Sequence, residues 1–370
     1  MSRVLRSLVT ATTVLVAVAV APAATAAPAA GERGGLQRRL DDVVAAGAVG
    51  ALAEVRAGHR VWRGGSGLAA LGTTRTVPVD GRFRAGSITK TLLATVVLQL
   101  VDEGWLRLDD TVRQWLPGVV PEDHAGTVRQ LLDHTSGLYD YLRTLPLPPD
   151  PEFGQNRWRS WDPAELVARA MVHPPTFEPP GSAFGYSNTG YLLLGQIVEA
   201  VTGQSYGTEI ERRIIEPLRL RGTEMPGTSP WIRGPHPRGY VPLERDGIEL
   251  LDYTEMNPSV MGAGGELIST TRDLNRFFAA LFDGRLLPDH LLDEMMTPGT
   301  DGRMYGLGLA WRDTSCGVRV YGNDGDALAY QSWSFSTLDL RRQVTIALTP
   351  EFPGDVDDAV DAFLDQAVCA

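Results

Sequence analysis

The stretch Phe83-Arg84-Ala85-Gly86-Ser87-Ile88-Thr89-Lys90-Thr91-Leu92-Leu93-Ala94-Thr95-Val96-Val97-Leu98-Gln99-Leu100-Val101 decides how this chain is read. From Leu92 onward the apolar side chains recur at intervals of three and four, the period of an α-helix, and Gly104 supplies a C-terminal stop. So few positions are polar that the helix must be buried. Ser87 and Lys90 open it three residues apart, hence on one face. At a helix start, free backbone N–H groups and the positive end of the dipole favour a developing alkoxide and an oxyanion. A lysine desolvated beside that serine can be neutral and take the hydroxyl proton, so acylation of Ser87 becomes chemically feasible.

Composition sharpens this reading. Of 34 basic residues, Lys90 is the only lysine and the rest are arginine. Arginine supplies charge but cannot accept a proton near neutrality. A single surface lysine could arise by drift, but here the only amine lies three residues after a serine at a helix start. Downstream, Phe184-Gly185-Tyr186-Ser187-Asn188-Thr189-Gly190 forms a turn ahead of another helix. Alone, Tyr-x-Asn marks a turn. Beside Ser-x-x-Lys, Tyr186 becomes a candidate proton relay and Asn188 a candidate substrate-binding amide.

Working outward, Gly50–Val55 and Arg60–Trp62 predict two antiparallel strands. Residues 109–242 are rich in Pro, Trp and polar turns. Amphipathic pieces at Thr127–Asp133, Pro163–Val172, Gly190–Val201 and Tyr206–Ile215 predict a mostly helical insertion. A helix at Asp273–Phe282 precedes strand-like runs at Tyr305–Trp311, Gly317–Tyr321, Tyr330–Ser336 and Gln343–Leu348, and a helix at Asp355–Val368 closes the chain. Strands at both ends with helices between predict an α/β (α+β) protein whose sheet domain is discontinuous, residues 27–108 with 243–370, around a helical domain, 109–242. Residues 1–26 read as a signal peptide: Arg3 and Arg6, an apolar run from Leu8 to Ala21, then Ala24-Thr25-Ala26. That run of about 14 residues is short of the ~20 that span a bilayer. The expectation is a secreted, monomeric protein with no membrane span. A net charge of −11 argues against a nucleic-acid partner. In an oxidising compartment the two cysteines, Cys316 and Cys369, favour a disulfide over two free thiols.

The chain resembles the serine hydrolases of the class C β-lactamase and DD-peptidase (penicillin-recognising) superfamily. The resemblance rests on Phe83–Thr91, Val128-Arg129-Gln130-Leu131-Leu132-Asp133-His134-Thr135-Ser136-Gly137-Leu138, Tyr186-Ser187-Asn188 and Gly262-Ala263-Gly264-Gly265. Across Tyr305–Leu309 and Ser315–Gly322 it runs closest to secreted D-alanyl-D-alanine carboxypeptidases. It implies a five-stranded antiparallel sheet flanked by helices beside an all-helical domain, with the site in the cleft between them. It also implies an acyl-serine mechanism with an oxyanion hole from the N–H groups of Ser87 and Asp326. His134, within its Leu-Leu-Asp-His-Thr-Ser-Gly turn, is read as a packing and capping residue.

Four positions depart from that pattern. Where the family carries His or Lys, any residue, then Gly, this chain has Asn323-Asp324-Gly325, which cannot supply a cation. The arginine that grips a substrate carboxylate in carboxypeptidases falls at Ala310, and two hydroxyl positions fall at Asp324 and Asp326. Asn188, Asn323, Asp324, Gly325 and Asp326 therefore stand as the candidate substrate-binding set. The default substrate is a small D-alanyl-D-alanine peptide of cell-wall precursors or a β-lactam. The alternatives are an esterase, a D-peptidase preferring amines or amides, or a degenerate member that binds wall fragments or penicillin without turnover. His59, His124, His173, His236 and His290 lack metal-ligand spacing, and neither a Gly-x-Ser-x-Gly elbow nor a phosphate-cradling glycine loop occurs, so no metal or cofactor is expected.

Overall fold

The protein is described here by a computed structural model covering residues 30–122, 126–244, 247–300, 302–352 and 354–370. The leader expected at residues 1–26 and His124 lie outside the described residues. Strands β1 (Ala48–Ala57), β2 (Arg60–Gly67), β3 (Phe83–Arg84), β4 (Tyr240–Glu244), β5 (Ile248–Asp252), β6 (Ile268–Ser269), β7 (Ala310–Asp313), β8 (Arg319–Asp326), β9 (Gln331–Ser336) and β10 (Arg342–Pro350) alternate with helices. These are α1 (Ala30–Ala45), α2 (Ile88–Asp102), α3 (Val112–Trp115), α4 (Val128–Leu132), α5 (Pro163–Met171), α6 (Asn188–Thr202), α7 (Tyr206–Ile210), α8 (Glu216–Leu218), α9 (Thr271–Phe282), α10 (Asp289–Met295) and α11 (Asp357–Cys369).

The main sheet is antiparallel in the order β2-β1-β10-β9-β8-β7, so the first and last strands of the chain do meet in one sheet. It has six strands, not five, because the short edge segment Ala310–Asp313 pairs with Arg319–Gly322. The run expected as a strand from Tyr305 begins pairing there only at Ala310. Before it, Gly308 turns left-handed (φ 73°) and lies so close to α2 that a Cβ would come within 2.5 Å of the Ala94 Cβ. Period-two alternation divides the two faces. Ala51, Ala53, Val344, Ile346 and Leu348 pack with Leu36, Leu40, Val360 and Phe363 of α1 and α11, while the opposite face carries α9 and α2. α2 is buried over its first eleven residues without exception, as its largely apolar sequence required. The run at Tyr206–Ile215 splits into α7 and a π-helical turn, Glu211–Ile215.

Between β2 and β7, residues 141–161, 184–188 and 253–265 line the wall that faces β8 across a cleft. The disulfide Cys316–Cys369 ties the β7–β8 turn to the end of α11. Among the described residues no helix is long and apolar enough to cross a membrane.

Candidate active site

The turn before α2 is shaped by two glycines. Gly86 has φ 53°, and a Cβ there would lie 2.5 Å from the carbonyl oxygen of Asp326. Gly325 faces the same turn, where a Cβ would lie 1.9 Å from the Ala85 carbonyl oxygen. Both absences let β8 lie flush against the nucleophile turn and bring the peptides of Ser87 and Asp326 side by side. Gly325, expected as a substrate contact, is also a close-approach residue in this turn. Ser87 occupies the N-cap of α2 without spending its hydroxyl on a cap, which leaves Oγ turned to the cleft.

Ser87 Oγ lies 2.7 Å from the Tyr186 hydroxyl and accepts from Lys90 Nζ at 3.0 Å. Lys90 is fully buried and also donates to Asn188 Oδ1 at 2.7 Å and to the Gly264 carbonyl at 2.6 Å, so three acceptors match three ammonium protons. Burial nevertheless wins, pulling its pKa down to about 7, with the Asp140 and Asp324 carboxylates opposing. Crowding around its hydroxyl raises the Tyr186 phenol well above its ordinary value, although 39% of the residue is exposed to the cleft. Tyr186 thus stays protonated, and of the two partners of Ser87 it is Lys90 that can change charge near neutrality.

The other sequence candidates divide. Asn188, expected to hold substrate, lines the cavity at Ser87; its Oδ1 accepts from Lys90 and one Nδ2 hydrogen goes to Asp140 Oδ2 at 2.9 Å, which leaves the second amide hydrogen for a ligand. Asn323 is buried; its Nδ2 donates to Thr91 Oγ1 at 3.1 Å and its Oδ1 accepts the Asp324 N–H at 3.0 Å. It locks β8 to α2 rather than substituting for a cation beside Tyr186. Asp326 Oδ1 accepts the Leu328 N–H at 2.7 Å, so this carboxylate partly holds the β8–β9 turn. Asp324 has no side-chain partner among the described residues, and it lines the cleft with Ala310 and Ser87. Crowding by the cleft walls raises both aspartates. His134 packs against Tyr186 at 4.2 Å between ring centres and accepts the Ser187 N–H at 3.3 Å; burial drives its pKa well down, which keeps it neutral. Asp140 and the Gly264 carbonyl escaped sequence reasoning because an N-capping aspartate and a backbone oxygen carry no signal of their own. Arg303, also missed, lies over the Phe184 ring at 3.9 Å on the cleft wall.

Ser87 separates two cavities. One, of about 310 Å³, is apolar, lined by Tyr141, Leu142, Leu145, Phe153, Trp161 and Tyr253. The other, of about 610 Å³, is polar and holds Arg303, Asp324 and Asp326 beside Ala310. Among the described residues no group of three or more His, Cys, Asp or Glu side chains is placed to hold a metal ion.

Comparison with known proteins agrees with this geometry. A D-stereospecific amidohydrolase from Streptomyces sp. superposes with a TM-score of 0.81 at 40% identity, over 89% of this chain and 98% of that one. The D-amino acid amidase of Ochrobactrum anthropi SV3, complexed with L-phenylalanine amide, superposes with a TM-score of 0.79 at 29% identity, over 91% and 98% of the two chains. Penicillin-binding protein 4 of Amycolatopsis lactamdurans is 31% identical over 229 residues, which cover 60% of this chain and 57% of that relative. The family model described as Beta-lactamase matches residues 36–370. With its fold and these relatives, the chain belongs to the Beta-lactamase family and is a serine hydrolase of the penicillin-recognising superfamily.

Proposed function

We propose that this hydrolase is an exported acyl-serine enzyme that cleaves amides or esters of D-amino acids and short D-peptides, in preference to peptides ending in a free carboxylate. One observation carries the reading: Asp324 stands unpartnered beside Ala310 in the cleft that Ser87 opens onto. A carboxylate where carboxypeptidases present a cation and neutral hydroxyls favours substrates whose nearby group is an amide, an ester or an ammonium. The similarity to a D-stereospecific amidohydrolase and a D-amino acid amidase points the same way. Export rests on the leader read at residues 1–26.

In this mechanism neutral Lys90 takes the Ser87 Oγ proton as Oγ attacks the substrate carbonyl. The N–H groups of Ser87 and Asp326, brought together by Gly86 and Gly325, receive the oxyanion. Collapse breaks the bond to the leaving group, whose nitrogen or oxygen takes a proton through Tyr186, and Lys90 resupplies that proton. Water then enters and gives its proton to Lys90. It attacks the acyl-enzyme, and the acid departs as Ser87 recovers its hydrogen. The apolar cavity takes the hydrophobic side chain of the acyl group. The deciding experiment is a substrate panel on the purified chain: D- and L-phenylalanine amide, D-alanine amide and ester, a D-Ala-D-Ala peptide and a chromogenic cephalosporin. Turnover led by the D-amides and D-esters is the expected result. Turnover led by the D-Ala-D-Ala acid or the cephalosporin returns the protein to the carboxypeptidases or β-lactamases.

A further inference from the structure

Away from the cleft, a second polar hollow of about 220 Å³ lies where the segment before β3, the end of α8 and the start of α9 converge. None of its lining residues lines either cavity at Ser87. Five arginines face it, Arg82, Arg219, Arg221, Arg272 and Arg276, against the carboxylates Asp80 and Asp273. This is a local excess of positive charge on a chain whose net charge is −11.

The carboxylates offset only part of the cluster's charge. Asp273 is occupied by the Gly222 N–H at 2.6 Å and the Thr223 hydroxyl at 3.2 Å. Asp80 pairs with Arg272 at 3.1 Å, and Arg82 with Glu224 at 3.4 Å. Arg276 is held by the carbonyls of Leu218, at 2.6 Å, and Arg219, at 3.4 Å, which fix its guanidinium without cancelling its charge. Arg219 and Arg221 have no side-chain partner among the described residues, although their backbone carbonyls anchor Arg276 and Arg82. Three arginines without an acidic partner, Arg219, Arg221 and Arg276, thus line one hollow, and the backbone of Arg219 and Arg221 is braced by Arg276 and Arg82. Planar guanidinium forks match the paired oxygens of a phosphate group, and convergent ones hold it by several charge-assisted hydrogen bonds.

We propose that this hollow is a binding site for phosphate groups, separate from the catalytic cleft. Its ligand is a phosphate anion, presented either free or as part of a phosphodiester chain. The test measures binding to the purified full chain by calorimetry at low ionic strength, with inorganic phosphate, tripolyphosphate and poly(glycerol phosphate) as probes. It compares the wild type with Arg219→Asn/Arg221→Ala. Asparagine is chosen at 219 because the backbone there is left-handed, φ 52°. The expected result is salt-sensitive binding that weakens at least about tenfold in the double variant, while hydrolysis at Ser87 is unchanged. Tighter binding of the polymer than of inorganic phosphate identifies a phosphodiester chain as the source, and comparable binding identifies a free anion. If no probe binds, or if the double variant binds as the wild type does, the site is refuted. Because the readout is binding, it stands or falls independently of the substrate assigned above.

Discussion

Asn188 is the clasp on Lys90. Its Oδ1 accepts from Nζ at 2.7 Å while its Nδ2 is pinned by Asp140 at 2.9 Å, so the amide cannot turn its donor toward the lysine. The clasp offers Lys90 a neutral acceptor, and burial is therefore free to bring the amine down to about 7. Asn188→Asp would put a carboxylate in direct contact with Nζ and favour the ammonium. The acid limb of kcat/KM, which tracks loss of the Lys90 proton, is then expected to move to higher pH by at least about one unit. An unmoved limb in a folded variant would show that Lys90 is not the titrating base.

In the wild type, the sign follows from the same group. The base form of Lys90 is the active one, so kcat/KM should rise with pH through about 7 and level off above it. Tyr186, raised by crowding around its hydroxyl, remains protonated across that range and sets no limb below its ordinary value. Lys90→Arg retains the charge but removes the base, and turnover should fall by at least about 10²-fold. A pH–rate profile with both proteins checks this, and a folded Lys90→Arg enzyme of near wild-type activity would contradict it.

The meeting of Ser87, Lys90 and Tyr186 was legible in the sequence because the pattern places rare residue types at fixed spacing. A solitary lysine three residues after a serine has few innocent explanations. The sheet was legible for a similar reason: alternating apolar runs near both ends of the chain have to pair somewhere. The internal partners of Asn188 and Asn323 and the close approach at Gly325 were not legible, because sequence shows a side chain's capacity but not which neighbour uses it. Asn323 spends its amide on Thr91, and Gly325 matters for the Cβ it lacks. The sixth strand was legible as the apolar run Tyr305–Trp311, but its start was not: Gly308 turns left-handed and pairing with β8 begins only at Ala310.

The Cys316–Cys369 disulfide closes a loop of 53 residues and joins the β7–β8 turn to α11. By the chain-entropy estimate such a loop contributes roughly 4 kcal/mol. Cys316→Ala with Cys369→Ala should lower unfolding stability by about 2–4 kcal/mol in denaturant titration, with little change in activity because both residues lie outside the lining of the two cleft cavities. Intact mass under non-reducing conditions should be 2 Da below the dithiol form, since a disulfide lacks two hydrogens. Two alkylatable thiols in the native protein would refute the bridge.

The preference for blocked carboxyl groups depends on Asp324. Asp326 is partly engaged by the Leu328 N–H, whereas Asp324 is unpartnered and faces the space beside Ala310. A substrate carboxylate about 6 Å from one aspartate is repelled by roughly 3 kcal/mol at an effective dielectric of 20, about a hundredfold in binding. The open mouth of the cleft reduces that figure through solvent screening, and Arg303 on the same wall opposes it, but neither removes the local negative charge at Asp324. The ratio of kcat/KM for a D-alanine amide or ester to that for the matching D-Ala-D-Ala acid should therefore exceed one. Asp324→Thr should narrow this ratio, and Asp326→Thr should narrow it less because its carboxylate already serves the turn. Ala310→Arg on the Asp324→Thr background should narrow it further by supplying a cation, with the loss falling mainly on KM for the acid. If the wild type releases terminal D-alanine as readily as it cleaves the amide, or if Asp324→Thr leaves the ratio unchanged, the aspartate does not select the substrate.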